Sequence, residues 1–190
     1  ALPISSGEYR CFWRKGKSDQ VCDQHGAMLA DADALPPLDA PLLAAYLARL
    51  GLSSTLPPTV ETLRTLTAAH VQSVPYENVD IHCGRSPPSL ASVASARRIA
   101  LDGRGGYCFI LAGGFAAMLR TLGFEVSLLN GNVGDDPPAE ASWGNHVVVA
   151  VRLDGEVWIA DVGLGDGPRR PFRLSRDADA QRWEEDGWRY

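Results

Sequence analysis

The dipeptide Asp154-Gly155 constrains this chain more tightly than any other feature. It stands between HVVVAVRL (146–153) and EVWIADV (156–162), two runs rich in β-branched residues. A two-residue Asp-Gly loop between such runs makes an antiparallel hairpin, because its primed turn matches the twist of the strands. The turn fixes the register: Leu153 pairs with Glu156, so Val148 lies opposite Asp161. Side chains alternate between faces, which puts His146 on the face of Val148 and Asp161. As diagonal neighbours the two stand about 7 to 8 Å apart at the backbone, a span that His and Asp side chains can close. A carboxylate inside VWIADV is costly to bury without a cation or several donors. Two readings of Asp161 stay open at this level, a partner for His146 and a strand-end residue bonding the backbone of the Gly163 to Gly165 turn.

Upstream the pattern is helical. Leu42, Leu43, Tyr46, Leu47 and Leu50 share one face, and Gly51 follows where a C-terminal cap stands. Pro57-Pro58-Thr59 gives a break and an N-cap, after which Leu63, Leu66, His70, Val71 and Val74 mark a second helix running to Pro75. The Ala-rich stretch from Ser89 to Leu101 predicts a third, and a fourth begins near Cys108 and ends at Gly123. Phe124 to Leu129 reads as a strand, and Asn130 to Gly144 as a polar loop. Helices followed by strands argue for an α+β fold rather than repeating βαβ units. Residues 1–37 show neither period and end in Pro36-Pro37, so they read as an appended, loosely ordered segment. The expected organisation is that segment, a helical domain over 38–123 and a β-domain over 124–190. A second Asp-Gly turn at Asp186-Gly187 is followed by only Trp188-Arg189-Tyr190, so the last hairpin is expected to be cut short.

Composition removes several classes of function. With 190 residues, 45% hydrophobic and 22% charged, the chain can bury a sizeable core. A net charge of -5 leaves no footprint for nucleic acid or an anionic membrane. No stretch reaches the roughly 18 apolar residues of a membrane span, and the N-terminus lacks the order of a signal peptide, so a cytoplasmic location is expected. The four cysteines, Cys11, Cys22, Cys83 and Cys108, are widely spaced and read as reduced thiols. Cys22 with His25 lacks a second pair to complete a zinc set, so no metal is expected.

Cys108 stands in RGGYCFILAGG (104–114), where glycines give way to an apolar helix. A cysteine in the first turn of a helix meets unsatisfied N–H donors and a partial positive charge, which favour its thiolate and lower its pKa. Gly105-Gly106 would allow a tight lead-in turn and leave room for a substrate to approach the sulfur. By itself such a cysteine is more often a small core residue. His146 and Asp161 change the balance, because a nucleophilic thiol needs a base, and the base needs an orienting partner.

With these residues in place, the sequence resembles the arylamine N-acetyltransferase family. The family's R-G-G-x-C motif is matched at Arg104 to Cys108, its P-F-E-N-L-D motif by P-Y-E-N-V-D at Pro75 to Asp80, and its D-V-G-F-G motif by D-V-G-L-G at Asp161 to Gly165. The resemblance implies that the family's Cys-His-Asp triad falls on Cys108, His146 and Asp161. It implies a helical bundle followed by an antiparallel β-barrel with a cysteine-proteinase-like core and then an α/β lid, which is expected to be missing here. It also implies a ping-pong acyl transfer from acetyl-CoA to an arylamine, hydrazine or arylhydroxylamine. The Cys108 N–H is a candidate oxyanion donor. Glu77 and Arg104 are expected to pair near the site, Asn78 to bond backbone after Pro75, and Tyr107, Phe109 and Gly106 to line the acceptor pocket. Related alternatives are an amide synthase closing a macrolactam from a carrier-bound thioester, and an inactive truncated homologue.

Two departures stand out. Where the family has a glutamate two residues after the cysteine and usually an asparagine two beyond, this chain has Ile110 and Ala112. The exchange predicts a looser helix start or a basic neighbour left unpaired. Residues 1–37 are expected to have no counterpart in the family, and the expected absence of the lid predicts an exposed barrel face, weaker CoA binding and hydrolysis of any acyl intermediate.

Overall fold

A computed structural model describes residues 35–52, 56–131, 133, 145–165 and 167–174, with the backbone alone at 184–185 and 188–189. Most of residues 1–37, including Cys11, Cys22 and His25, lies outside them, as does most of the 130–144 loop. Leu35 and Leu38 are described, and both are buried in the main core.

The helices start and stop for local reasons. Helix α1, Ala40–Arg49, opens where the Asp39 carboxylate accepts the Leu42 N–H at 2.8 Å. Gly51 follows its end at φ 76°, a left-handed conformation that glycine adopts without strain. Helix α2, Val60–Ser73, is capped by Thr59 Oγ1, which accepts from the Thr62 N–H at 3.2 Å. It stops at Val74, which is extended ahead of Pro75. A single turn, α3, Val79–His82, has no counterpart in the sequence expectation; four residues are too few to show a period. Helix α4, Ser92–Ala100, begins three residues later than expected, because Ser89 Oγ accepts the Ala91 N–H at 3.3 Å and closes a local turn instead.

Helix α5, Cys108–Thr121, is buried from Ile110 through Leu119, so it is apolar all round rather than amphipathic. It is the central element, packed against α1, α4 and the first two strands. Those strands are β1, Glu125–Gly131, and β2, His146–Leu153, followed by β3, Glu156–Ala160, and β4, Phe172–Arg173. They form one antiparallel sheet in the order β1-β2-β3-β4. Val147, Val149 and Val151 of β2 face the core built on α5, while Val148 and Ala150 pack with Leu129 and Ile159 on the opposite face. A separate two-stranded ladder joins β5, Glu184–Glu185, to β6, Trp188–Arg189.

The fold is therefore α+β, but the expected barrel is not found. Among the described residues β1 and β4 are the two edges of an open sheet and do not pair with each other. Closure needs enough tilted strands to bring the last round to the first, and four strands, one of them two residues long, are too few.

Candidate functional site

The Asp-Gly turn sets the register it predicts: Leu153 faces Glu156 and Val149 faces Ala160, which puts Asp161 beside Val148 just past the end of β3. Across this diagonal His146 Nε2 and Asp161 Oδ2 stand 2.9 Å apart, with side chains 3% and 1% exposed. The other carboxylate oxygen, Oδ1, accepts the Gly163 N–H at 2.9 Å. Both readings left open by the sequence thus hold together, one oxygen serving the imidazole and the other the turn.

Cys108 is the first residue of α5 and is buried. No side chain caps this helix start; the Ile110 and Leu111 N–H groups donate to Tyr107 O at 2.9 and 3.1 Å, and Cys108 sits at the partly positive end of the helix. Cys108 Cβ and His146 Cε1 both flank Gly163, and the thiol favours the charged form of the imidazole. Since Nε2 is committed to Asp161, Nδ1 is the ring nitrogen left for the thiol. Burial alone would push the imidazole down, but the Asp161 carboxylate, and then Cys108, override it and hold the His146 pKa up at about 10. That direction favours the cationic ring at neutral pH, the form in which Nε2–H donates to Asp161.

Gly163 closes the arrangement. A Cβ built there would stand 2.8 Å from Cys108 Cβ, 3.1 Å from its Cα and 3.1 Å from His146 Cε1. The turn after Asp161 can pass behind thiol and ring only as bare backbone.

The approach to Cys108 is clamped from a second segment. Tyr76 bridges Gly106 in parallel, the Glu77 N–H donates to Gly106 O at 3.0 Å, and the Gly106 N–H donates to Pro75 O at 3.4 Å. The space beside both glycines belongs to the chain itself rather than to a substrate: a Cβ at Gly105 would land on the Pro75 carbonyl, and one at Gly106 would stand 2.6 Å from Ile110 Cβ. Tyr107 and Phe109 meet edge to face at 6.2 Å, partly buried against the core. Tyr76 is 46% exposed, and burial, then the nearby Cys108, raise its phenol above the usual value.

Glu77 and Arg104 pair at 2.9 Å as expected, but within a larger cluster. Arg98 Nη2 donates to Glu77 Oε1 at 2.8 Å and to Asp80 Oδ2 at 2.7 Å, Arg104 reaches Asp80 Oδ2 at 3.3 Å, and Arg85 meets Asp80 Oδ1 at 3.4 Å. Burial opposes the charge on Glu77, but the Val79 N–H, Arg104 and Arg98 outweigh it and hold the carboxyl below its ordinary value. Arg98 foremost does the same for Asp80. The unpaired charge expected from Ile110 does not arise, because Arg104 is matched by Glu77 and Asp80, and Ile110 is fully buried against Gly106. Asn78 precedes α3 without a side-chain capping bond; the Val79 N–H goes to Glu77 Oε2 at 3.0 Å instead.

Sequence reasoning passed over Tyr76, Asp80 and Arg98. The first two lie inside the P-Y-E-N-V-D run, where Glu77 and Asn78 drew attention, and were findable there. Arg98 carries no local signal, since an arginine near a helix C-terminus reads as an ordinary solvated charge.

Known proteins resemble this chain in sequence and in fold. The family model described as N-acetyltransferase matches residues 59–189. An arylamine N-acetyltransferase / N-hydroxyarylamine O-acetyltransferase of Salmonella typhimurium is 42% identical over 136 residues, covering 71% of this chain and 48% of its own length. A solved arylamine N-acetyltransferase from Salmonella typhimurium superposes with a TM-score of 0.65 at 39% identity, over 72% of this chain and 50% of that one. A Mycobacterium marinum arylamine N-acetyltransferase solved in complex with CoA gives a TM-score of 0.64 at 33% identity, over 72% of this chain and 52% of that one. The chain spans about half the length of the curated relatives it matches.

Proposed function

Since the chain belongs to the arylamine N-acetyltransferase family, we propose that it moves an acetyl group from acetyl-CoA to an arylamine, hydrazine or arylhydroxylamine through an acyl-cysteine at Cys108. The observation that carries this reading is the division of the His146 ring, with Nε2 held by Asp161 at 2.9 Å and the other nitrogen left to the Cys108 thiol.

In the first half-reaction the sulfur of Cys108 attacks the thioester carbonyl with its proton on His146. A bond from Sγ to the acyl carbon forms, the bond from that carbon to the CoA sulfur breaks, and the imidazolium protonates the departing thiolate. In the second, the amine nitrogen attacks the acyl-cysteine, the bond to Sγ breaks, and His146 takes the proton the amine sheds. The buried Asp161 keeps the ring oriented and favours its charged form throughout. The Cys108 N–H at the start of α5 is the oxyanion donor in this scheme. Aromatic acceptors suit the aromatic side chains near the thiol in sequence, Tyr107 and Phe109, which meet edge to face, and the 46% exposed Tyr76. A related solved protein carries CoA, which supports CoA as the acyl carrier.

Steady-state rates with acetyl-CoA and an aniline acceptor test this. The reading predicts parallel double-reciprocal lines, and loss of activity by at least about a thousandfold in Cys108→Ala. Intersecting lines, or full activity in Cys108→Ala, would overturn it, and acylation from a carrier-bound thioester but never from acetyl-CoA would favour the amide synthase.

A further inference from the structure

We propose that Arg98, which belongs to none of the matched motifs, is a positioning residue for the acylation of Cys108: through the Gly105 carbonyl it sets the direction in which the Cys108 backbone N–H points. The inference rests on the acyl-transfer reading above.

Arg98 reaches out of α4 with a side chain only 15% exposed. Its Nε donates to Gly105 O at 2.7 Å, and its Nη2 donates to Glu77 Oε1 at 2.8 Å and Asp80 Oδ2 at 2.7 Å. One planar fork therefore joins the segment leading into Cys108 to the segment that follows Pro75. The two segments are already stitched by the Gly106 N–H on Pro75 O and the Glu77 N–H on Gly106 O. Arg98 adds the remaining restraint, because it fixes the carbonyl of the peptide whose N–H is held by Pro75. A peptide bound at both its carbonyl and its N–H cannot rotate about its flanking bonds.

From there to the sulfur the chain has little freedom. Gly106 is pinned on both sides, and Tyr107 is extended at φ -87° and ψ 176° before the helix begins at Cys108. The orientation of the Gly105-Gly106 peptide is thus carried to the first N–H of α5. An oxyanion donor acts only if it is aimed beforehand at the place where charge develops. Arg104 meets the same carboxylates from a side chain 37% exposed. A lysine at position 98 could keep the charge but not the fork, since its donors radiate from one atom.

The test compares Arg98→Lys and Arg98→Ala with wild type and with Arg97→Lys, an exposed control on the same helix. Three quantities are read: acylation of Cys108 by acetyl-CoA followed by intact mass, alkylation of Cys108 by iodoacetamide across pH, and hydrogen exchange of the amides from Gly106 to Leu111. Both Arg98 variants are expected to slow acylation by at least about tenfold and to speed exchange in that segment by a similar factor. Alkylation needs no oxyanion donor, so its rate and pH profile should stay within about twofold, as should every reading in Arg97→Lys. A general loosening of the fold would instead move alkylation together with acylation and speed exchange in the β2–β3 hairpin as well, and that result would overturn the proposal. Unchanged acylation and exchange in Arg98→Lys, the milder variant, would also overturn it. If wild type itself gives no adduct, the acyl-transfer reading fails, while the exchange data still decide whether Arg98 holds the segment.

Discussion

One methyl group at Gly163 should disable the site. In Gly163→Ala the new Cβ would have to stand 2.8 Å from Cys108 Cβ and 3.1 Å from its Cα, which cannot swing away from the backbone, and 3.1 Å from His146 Cε1. Overpacking of this kind costs about 1 to 3 kcal/mol. We expect denaturant unfolding to show that loss, and iodoacetamide alkylation of Cys108 to slow as ring and thiol part. Asp161→Ala is the harsher change, because it leaves His146 buried without its partner; removing one member of a buried pair costs about 3 to 5 kcal/mol. The pairing of His146 with Asp161 was legible in the sequence because a two-residue turn admits one register. The closeness of Gly163 to Cys108 was not, since it depends on how the sheet packs on α5.

At the scale of the element, α5 carries two adjacent glycines with opposite expectations. A Cβ at Gly114 would meet Ile99 Cδ1 at 2.8 Å and the Ala96 nitrogen at 3.2 Å, so α4 and α5 touch there backbone to backbone. At Gly113 the nearest atoms lie at 3.8 Å, an ordinary contact. Gly114→Ala should therefore destabilise by about 1 to 3 kcal/mol. Gly113→Ala should stabilise by up to about 1 kcal/mol through helix propensity. Thermal unfolding of the two variants side by side checks the contrast. The ends of α1, α2 and α5 were readable from Gly51, Thr59, Pro75 and Gly123, each a cap or a breaker with a local mechanism. The start of α4 was not, because the Ser89 hydroxyl closes a local turn, and the four residues of α3 are too few to show a period.

For the whole molecule, two buried histidines shape stability in opposite directions. Burial, and then Arg49, push His70 down to about 3, and it is held neutral with Nε2 3.0 Å from the Tyr46 hydroxyl. The unfolded chain binds that proton below about pH 6.5 and the folded chain does not, so acid costs up to about 1.4 kcal/mol per pH unit until pH 3 is approached. His146 works the other way: its contribution is whole below about pH 6.5 and is lost as pH rises toward 10. Stability should peak near pH 6.5, with His70→Gln flattening the slope between pH 4.5 and 6.5 and His146→Gln flattening the slope above it; denaturant midpoints across pH read both. The α+β class followed from the order of helices and strands. Barrel closure could not, because it turns on how many strands share one sheet, which no single hairpin reports. The central claim is that Cys108 carries the acyl group, and brief incubation with acetyl-CoA followed by intact mass and peptide mapping tests it most directly. We predict a single acetyl adduct on Cys108, absent from Cys108→Ala and slow to form in His146→Gln; a folded chain that takes up no acetyl group, or takes it up elsewhere, would contradict the account.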